Sequence, residues 1–145
     1  MAWRIRMQGN EDLAFFDALY QRITAEYRVD LNRVYATGMS NGAYFANLLA
    51  SQRSDKIAAI APHSGGLGVL GRRGIQARRK YPVMVIHGTD DRLVPVSQAR
   101  KAHEAYRREG HEVLLVEIAG LGHRWATQAN INDQIWEFFR AHPLR

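Results

Sequence analysis

The chain predicts a three-layer αβα fold of the α/β class, with a mostly parallel sheet in the middle. Three observations lead there. Short β-branched or wholly apolar runs recur at residues 33–37, 57–61, 82–87 and 112–118, and runs of that kind suit strands buried on both faces. Longer stretches with apolar residues at helical spacing separate them, and such alternation implies right-handed crossovers between parallel neighbours. No internal repeat or linker interrupts the 145 residues, which predicts one domain over 1–145.

The elements follow in order. Asn10 can cap a helix whose first turn holds Glu11 and Asp12, favourable at the positive end of the helix dipole. Leu13, Phe16, Leu19 or Tyr20, Ile23 and Tyr27 then recur at helical spacing as one apolar face. That helix should end near Arg28. Asp30-Leu31-Asn32 reads as a turn, and residues 33–37 as the first strand. Ala43, Phe45, Ala46, Leu48, Leu49 and Ala50 mark a second helix able to pack closely on a sheet. Residues 57–61 form a short buried strand, and 62–80 a long loop rich in glycine and arginine. Loops of that length in compact domains are usually functional or disordered. Residues 82–87 are the third strand, 97–109 a helix stopped by Gly110, and 112–118 the fourth strand. Ile131, Ile135, Phe138 and Phe139 mark a last helix ending before Pro143.

Composition narrows the function classes. With 46% apolar and 23% charged residues, the chain matches soluble globular proteins, and no segment approaches a membrane span. No membrane partner is expected. The opening Met1-Ala2-Trp3-Arg4-Ile5-Arg6 is too short and too charged for a secretory signal. The absence of cysteine excludes disulfides, thiolate catalysis and cysteine metal sites. The net charge of +6 is concentrated in Arg72, Arg73, Arg78, Arg79 and Lys80, without which the remainder carries +1. This cluster reads as a solvated loop. No aromatic residues interleave with it, so a nucleic-acid partner is not expected.

The chemistry centres on Gly38-Met39-Ser40-Asn41-Gly42. This Gly-x-Ser-x-Gly sits between an extended run and a helical one, where a tight turn projects a serine hydroxyl away from the sheet. Glycines on both sides are expected because side chains there would crowd the bend. The Asn41 amide, at the start of the next helix, faces the place where negative charge would develop. Ligands of parallel α/β sheets bind at the carboxyl ends of the strands. Two further candidates fall at such ends: Asp90 or Asp91 after the third strand, and His123 after the fourth. A serine hydroxyl is a weak nucleophile until an imidazole takes its proton, and a carboxylate fixes the imidazole's tautomer. The order Ser…Asp…His is the one found in α/β-hydrolases. His87 reads as a support of the acid turn, and His103, His111 and His142 as surface or helix-end residues. No His-Glu-x-x-His or comparable spacing occurs, so no metal is expected. The glycines at 65, 66, 68, 71 and 74 do not follow a strand as Gly-x-Gly-x-x-Gly, so no nucleotide cofactor is expected either.

Three segments carry a family resemblance. Residues 29–42 (Val-Asp-Leu-Asn-Arg-Val-Tyr-Ala-Thr-Gly-Met-Ser-Asn-Gly), 87–95 (His-Gly-Thr-Asp-Asp-Arg-Leu-Val-Pro) and 120–125 (Gly-Leu-Gly-His-Arg-Trp) resemble the polyhydroxybutyrate depolymerase and feruloyl-esterase-like group of α/β-hydrolases. The resemblance implies Ser40 as nucleophile, Asp91 as acid and His123 as base, with Asn41 in the oxyanion hole. It also implies that Trp125 shapes the pocket. The proline often found after this aromatic is Ala126 here. His63 and Gly65, beyond the second strand, complete the expected substrate-facing set. The implied activity is hydrolysis of short-chain acyl, hydroxyalkanoate-polyester or feruloyl esters, small or polymeric, without a cofactor. The resemblance also suggests secretion.

Relatives of this kind place several strands and a His-Gly-rich loop ahead of the first helix. The only His-Gly pair here is His87-Gly88, already part of the acid turn. The chain therefore resembles the C-terminal half to two-thirds of a hydrolase domain, a partial α/β-hydrolase fold. Two expectations follow. The edge of the first strand is open and apolar, which favours a homo-oligomer paired through that edge. The oxyanion hole lacks its second donor, for which amides of Ser64-Gly65-Gly66-Leu67-Gly68 are the nearest replacement. A peptidase of the same fold is one alternative, and a catalytically weak interaction protein another.

Overall fold

The computed structural model of the protein describes residues 10–145. The opening segment discussed above as a non-signal lies outside the described residues. The elements run α1 (Glu11–Glu26), β1 (Tyr35–Met39), α2 (Asn41–Gln52), β2 (Ala59–His63), α3 (Leu70–Arg73), β3 (Val83–Gly88), α4 (Val96–Arg108), β4 (Val113–Ile118), a 3-10 turn (Thr127–Ala129) and α5 (Ile131–Ala141). Asn10 caps α1 as expected, its Oδ1 accepting the N–H groups of Asp12 at 2.8 Å and Leu13 at 3.3 Å.

All four strands are parallel and lie side by side in chain order. Right-handed crossovers between strands laid down in sequence all fall on one face. On that face Leu48 and Leu49 of α2, Leu70 of α3, and Ala99, Ala102 and Tyr106 of α4 pack with Ile60, Val83 and Val85. Helix α5 covers the other face, setting Ile131, Ile135 and Phe139 against Ala59, Ala61, Met84 and Ile86. Successive strand residues thus enter opposite cores, which is why these runs are apolar throughout.

Several expectations are corrected by the packing. Strands β1 and β2 each lie two residues further on, because parallel pairing continues through Gly38 opposite Pro62 to Met39 opposite His63. Residues 62–80 do not form one long loop: β2 takes in Pro62 and His63, and Leu67, Leu70 and Ile75 anchor the rest, with α3, in the core. Arg79 is not a solvated charge. Its guanidinium donates to the carbonyls of Ser54 (2.9 Å), Ile57 (2.6 Å) and Ala58 (2.9 Å). His111 is buried rather than superficial, with Nδ1 2.9 Å from the Tyr81 carbonyl. Helix α1 reaches the core through Leu13 and Phe16, leaving Leu19, Ile23 and Tyr27 exposed beside Phe15.

A buried polar chain crosses the first core. The Tyr81 and Tyr106 hydroxyls lie 3.4 Å apart, Tyr106 donates to Asn47 Oδ1 at 2.7 Å, and Asn47 Nδ2 donates to the Gly66 carbonyl at 3.0 Å. Every member that would otherwise be stranded in an apolar layer finds a partner, and the chain ends on the loop beyond β2.

Candidate active site

Ser40 sits at the joint between β1 and α2 with φ 55° and ψ −114°, a region that a non-glycine residue rarely occupies and holds only under surrounding constraint. The constraint is visible. The Ser40 N–H donates to the His63 carbonyl at 2.9 Å, and the Ser40 carbonyl accepts from Ala43 and Tyr44 at 2.9 and 3.1 Å. The hydroxyl makes no capping bond to the helix it begins, so it is not consumed by α2. The two glycines differ in role. A β-carbon at Gly38 would lie 2.7 Å from the Gly42 carbonyl group, whereas one at Gly42 would meet nothing within 4 Å. Gly38 is therefore required by the close return of α2 over β1; the expectation of crowding at Gly42 is not met.

Asp91 and His123 are brought into direct contact. His123 Nδ1 lies 2.7 Å from Asp91 Oδ2. Asp91 Oδ1 accepts the N–H groups of Leu93 at 2.9 Å and Val94 at 2.8 Å, and His87 Nε2 stands 3.4 Å from Oδ2. Burial by itself raises a carboxyl pKa. Here the Val94 and Leu93 amides and the His123 imidazole outweigh it and hold Asp91 below the usual carboxylate range. An ionised carboxylate can only accept, so His123 donates from Nδ1, and Nε2 is the nitrogen that can act as a base in the neutral ring. Asp90 is exposed and serves the turn. His87 supports the same turn, with Nε2 2.7 Å from the Val94 carbonyl.

The turn carrying Asp91 and the loop carrying His123 lie backbone to backbone. The Asp90 N–H donates to the Leu121 carbonyl at 2.9 Å, and the Thr89 hydroxyl accepts from the Gly120 N–H at 2.9 Å. A β-carbon on Gly88 would occupy the place of the Leu121 carbonyl oxygen. Glycine at the end of β3 thus lets the loop carrying His123 settle against Asp91.

The residues expected to face substrate separate into two groups. Trp125 is half-buried, and its indole N–H donates to Asn132 Oδ1 at 2.8 Å. His63 and Gly65 are buried. The His63 ring stacks on Trp125 at 4.5 Å, with Nδ1 2.7 Å from Ser64 Oγ and Nε2 accepting from the Ala126 N–H at 3.1 Å. Gly65 backs onto α2, where a β-carbon would fall 2.6 Å from that of Ala43. Asn41 is exposed on the first turn of α2, where backbone N–H groups have no intrahelical acceptor. Sequence reading missed the Ser64 hydroxyl, the Ala126 N–H and Asn47, all of which fix the loops around the site. The polar His63-Ser64 pair closing an apolar strand was the available signal. A groove of about 350 Å³ between Leu67, Gly68 and Gly71 and the flank of α4 holds none of Ser40, Asp91 or His123.

A strained serine after β1 and a carboxylate-imidazole pair after β3 and β4 thus share the carboxyl edge of one parallel sheet. The family described as Phospholipase/Carboxylesterase matches residues 14–140. The chain belongs to the phospholipase/carboxylesterase family. It is 34% identical over 105 residues to a bifunctional acetylxylan esterase/xylanase of Neocallimastix patriciarum, covering 72% of this chain and 15% of that protein. It is 32% identical over 101 residues to feruloyl esterase D of Neurospora crassa, covering 70% of this chain and 34% of the relative. Among solved structures it resembles a thermostable esterase (TM-score 0.77, 23% identity, 92% of this chain and 37% of the other). It also resembles an acylaminoacyl peptidase of Pyrococcus horikoshii (TM-score 0.75, 18% identity, 96% of this chain and 29% of the other). These two likenesses concern the fold, which is that of α/β-hydrolases. The chain spans about a third or less of the length of the two curated relatives.

Proposed function

We propose that the chain is a serine hydrolase that cleaves carboxylic esters through an acyl-enzyme. The observation that carries the reading is the 2.7 Å bond between His123 and Asp91 on the sheet edge where Ser40 is held in a strained strand-to-helix turn. Ser40 Oγ attacks the ester carbonyl while His123 Nε2 takes its proton. The imidazolium so formed is stabilised by Asp91, and the Asn41 N–H at the start of α2 donates to the developing oxyanion. His123 then protonates the departing alcohol. Water, deprotonated by His123, opens the acyl-enzyme and frees Ser40.

Similarity to esterases whose names specify acetylxylan and feruloyl groups favours small acyl and feruloyl esters over hydroxyalkanoate polyesters. The test sets p-nitrophenyl acetate and butyrate, methyl ferulate and acetylated xylan beside N-acyl peptide anilides. Ester turnover, with fluorophosphonate labelling lost in Ser40→Ala, is the expected result. Anilide turnover exceeding ester turnover makes the chain a peptidase. Absence of both turnover and labelling reduces it to an interaction protein with a preserved site.

A further inference from the structure

We infer that His63 is a positioning residue for His123: one buried imidazole pins the segment bearing the base to the strand that anchors Ser40. The inference rests on the ester-hydrolase reading for its kinetic arm only. Three contacts converge on this residue. Its carbonyl accepts the Ser40 N–H at 2.9 Å, its Nε2 accepts the Ala126 N–H at 3.1 Å, and its ring lies 4.5 Å from that of Trp125 at an interplanar angle of 20°. Ala126 and Trp125 are three and two residues from His123. Within hydrogen-bond reach His63 therefore spans from the backbone of the proposed nucleophile to the loop of the proposed base.

The tautomer follows from the partners. A backbone N–H can only donate, so Nε2 carries the lone pair and Nδ1 the single proton. Nδ1–H then donates to Ser64 Oγ, 2.7 Å away. Ser64 has φ 56°, and a strained serine beside an imidazole looks like a second nucleophile–base pair. The direction of the bond excludes that, because the ring gives its proton to Ser64 rather than taking one. Adding a second proton at Nε2 would break the Ala126 bond. Burial, and after it the neighbouring imidazoles of His87 and His123, keep the ring neutral, with its pKa lowered to about 4. His63 is thus a fixed strut, while His123 is left to cycle its proton.

Leu121 and Ala126 are buried in the second core, but the backbone donors on either side of Ala126 bond only within the loop. The Arg124 N–H bonds within its own turn to Gly122, and the Thr127 N–H to Trp125. The Ala126 N–H is the donor that ties this stretch to the sheet. Removing its acceptor frees the loop to shift, and displacements of about 1 Å in a reacting group cost on the order of 10²-fold in rate.

The test combines two variants with one measurement on the unaltered chain. His63→Phe keeps a flat ring against Trp125 but removes both bonds; His63→Gln keeps an acceptor able to reach the Ala126 N–H. With p-nitrophenyl acetate, kcat should fall about 10²-fold in His63→Phe with KM little changed, and recover most of that loss in His63→Gln. The low-field proton of the His123–Asp91 bond, read by NMR, should shift or broaden in His63→Phe and return in His63→Gln. In the unaltered chain, imidazole nitrogen shifts should show His63 protonated at Nδ1 and bare at Nε2, which decides the matter even if His63→Phe does not fold. A proton at Nε2 overturns the inference. So does a His63→Phe variant with normal kcat and a normal His123 resonance, or equal losses of kcat and Tm in both variants with that resonance unmoved. A chain that turns over no ester but shows the resonance change and its rescue loses the esterase reading and keeps the positioning role.

Discussion

His63 and Asp91 show how two ionisable side chains on one sheet edge are pushed toward opposite uses. Asp91 gains amide and imidazole donors that favour its charged form. His63 gains one backbone donor and complete burial, which favour its neutral form. The sign of the resulting pH dependence can be worked out. Between pH about 6.5 and about 4 the unfolded chain protonates this histidine while the folded chain does not. Its contribution to stability is complete above 6.5 and is lost as pH falls toward 4. His111, also depressed chiefly by burial, adds a term of the same sign. Urea unfolding followed across this window should show stability falling on acidification. The slope should be shallower in His63→Gln, whose side chain does not titrate; an unchanged slope would mean that His63 is protonated in the folded state.

At the scale of elements, the turn after β1 and the segment after β2 are held by unlike means. The joint between β1 and α2 depends on one absent side chain, at Gly38. Residues 64–80 depend on buried leucines and on a single arginine. Arg79 satisfies three carbonyls at the end of the connection from α2 to β2, and its neighbour Arg78 is exposed. Stranding buried carbonyls costs about 1–3 kcal/mol, so Arg79→Met should lower the urea midpoint by a corresponding amount. Arg78→Met, on the surface, should stay within about 0.5 kcal/mol of the parent. Equal effects at the two positions would show that the guanidinium bonds add nothing to the segment. Sequence reading grouped both arginines in one solvated cluster, since charge alone does not say which guanidinium turns inward.

At the scale of the molecule, the sheet has β1 at one edge of the described strands, and α1 exposes Phe15, Leu19 and Ile23, followed by Tyr27 at its C-terminal cap. An apolar helical stripe and a strand edge unpaired among the described residues both favour association. We predict that the chain self-associates through this side. Light scattering should give a mass that rises with concentration, and Phe15→Lys with Tyr27→Lys should lower it toward that of a monomer. A concentration-independent monomer in the parent chain would refute the prediction.

Apart from α3 and the 3-10 turn, the order of strands and helices, the parallel sheet and the positions of Ser40 and His123 beyond strand ends were legible from the residues alone. They follow from local patterns: apolar runs, helical spacing, a Gly-x-Ser-x-Gly turn. The residues themselves left Asp90 and Asp91 open, and family resemblance pointed to Asp91; the fold brings its Oδ2 to His123. Only tertiary structure buried His63 and Gly65, turned Arg79 inward, made Gly42 sterically free and left an apolar stripe of α1 exposed among the described residues. The reason is the same in each case. These outcomes depend on atoms brought close from remote parts of the chain, and periodicity along a segment says which residues share a face but not what that face will meet.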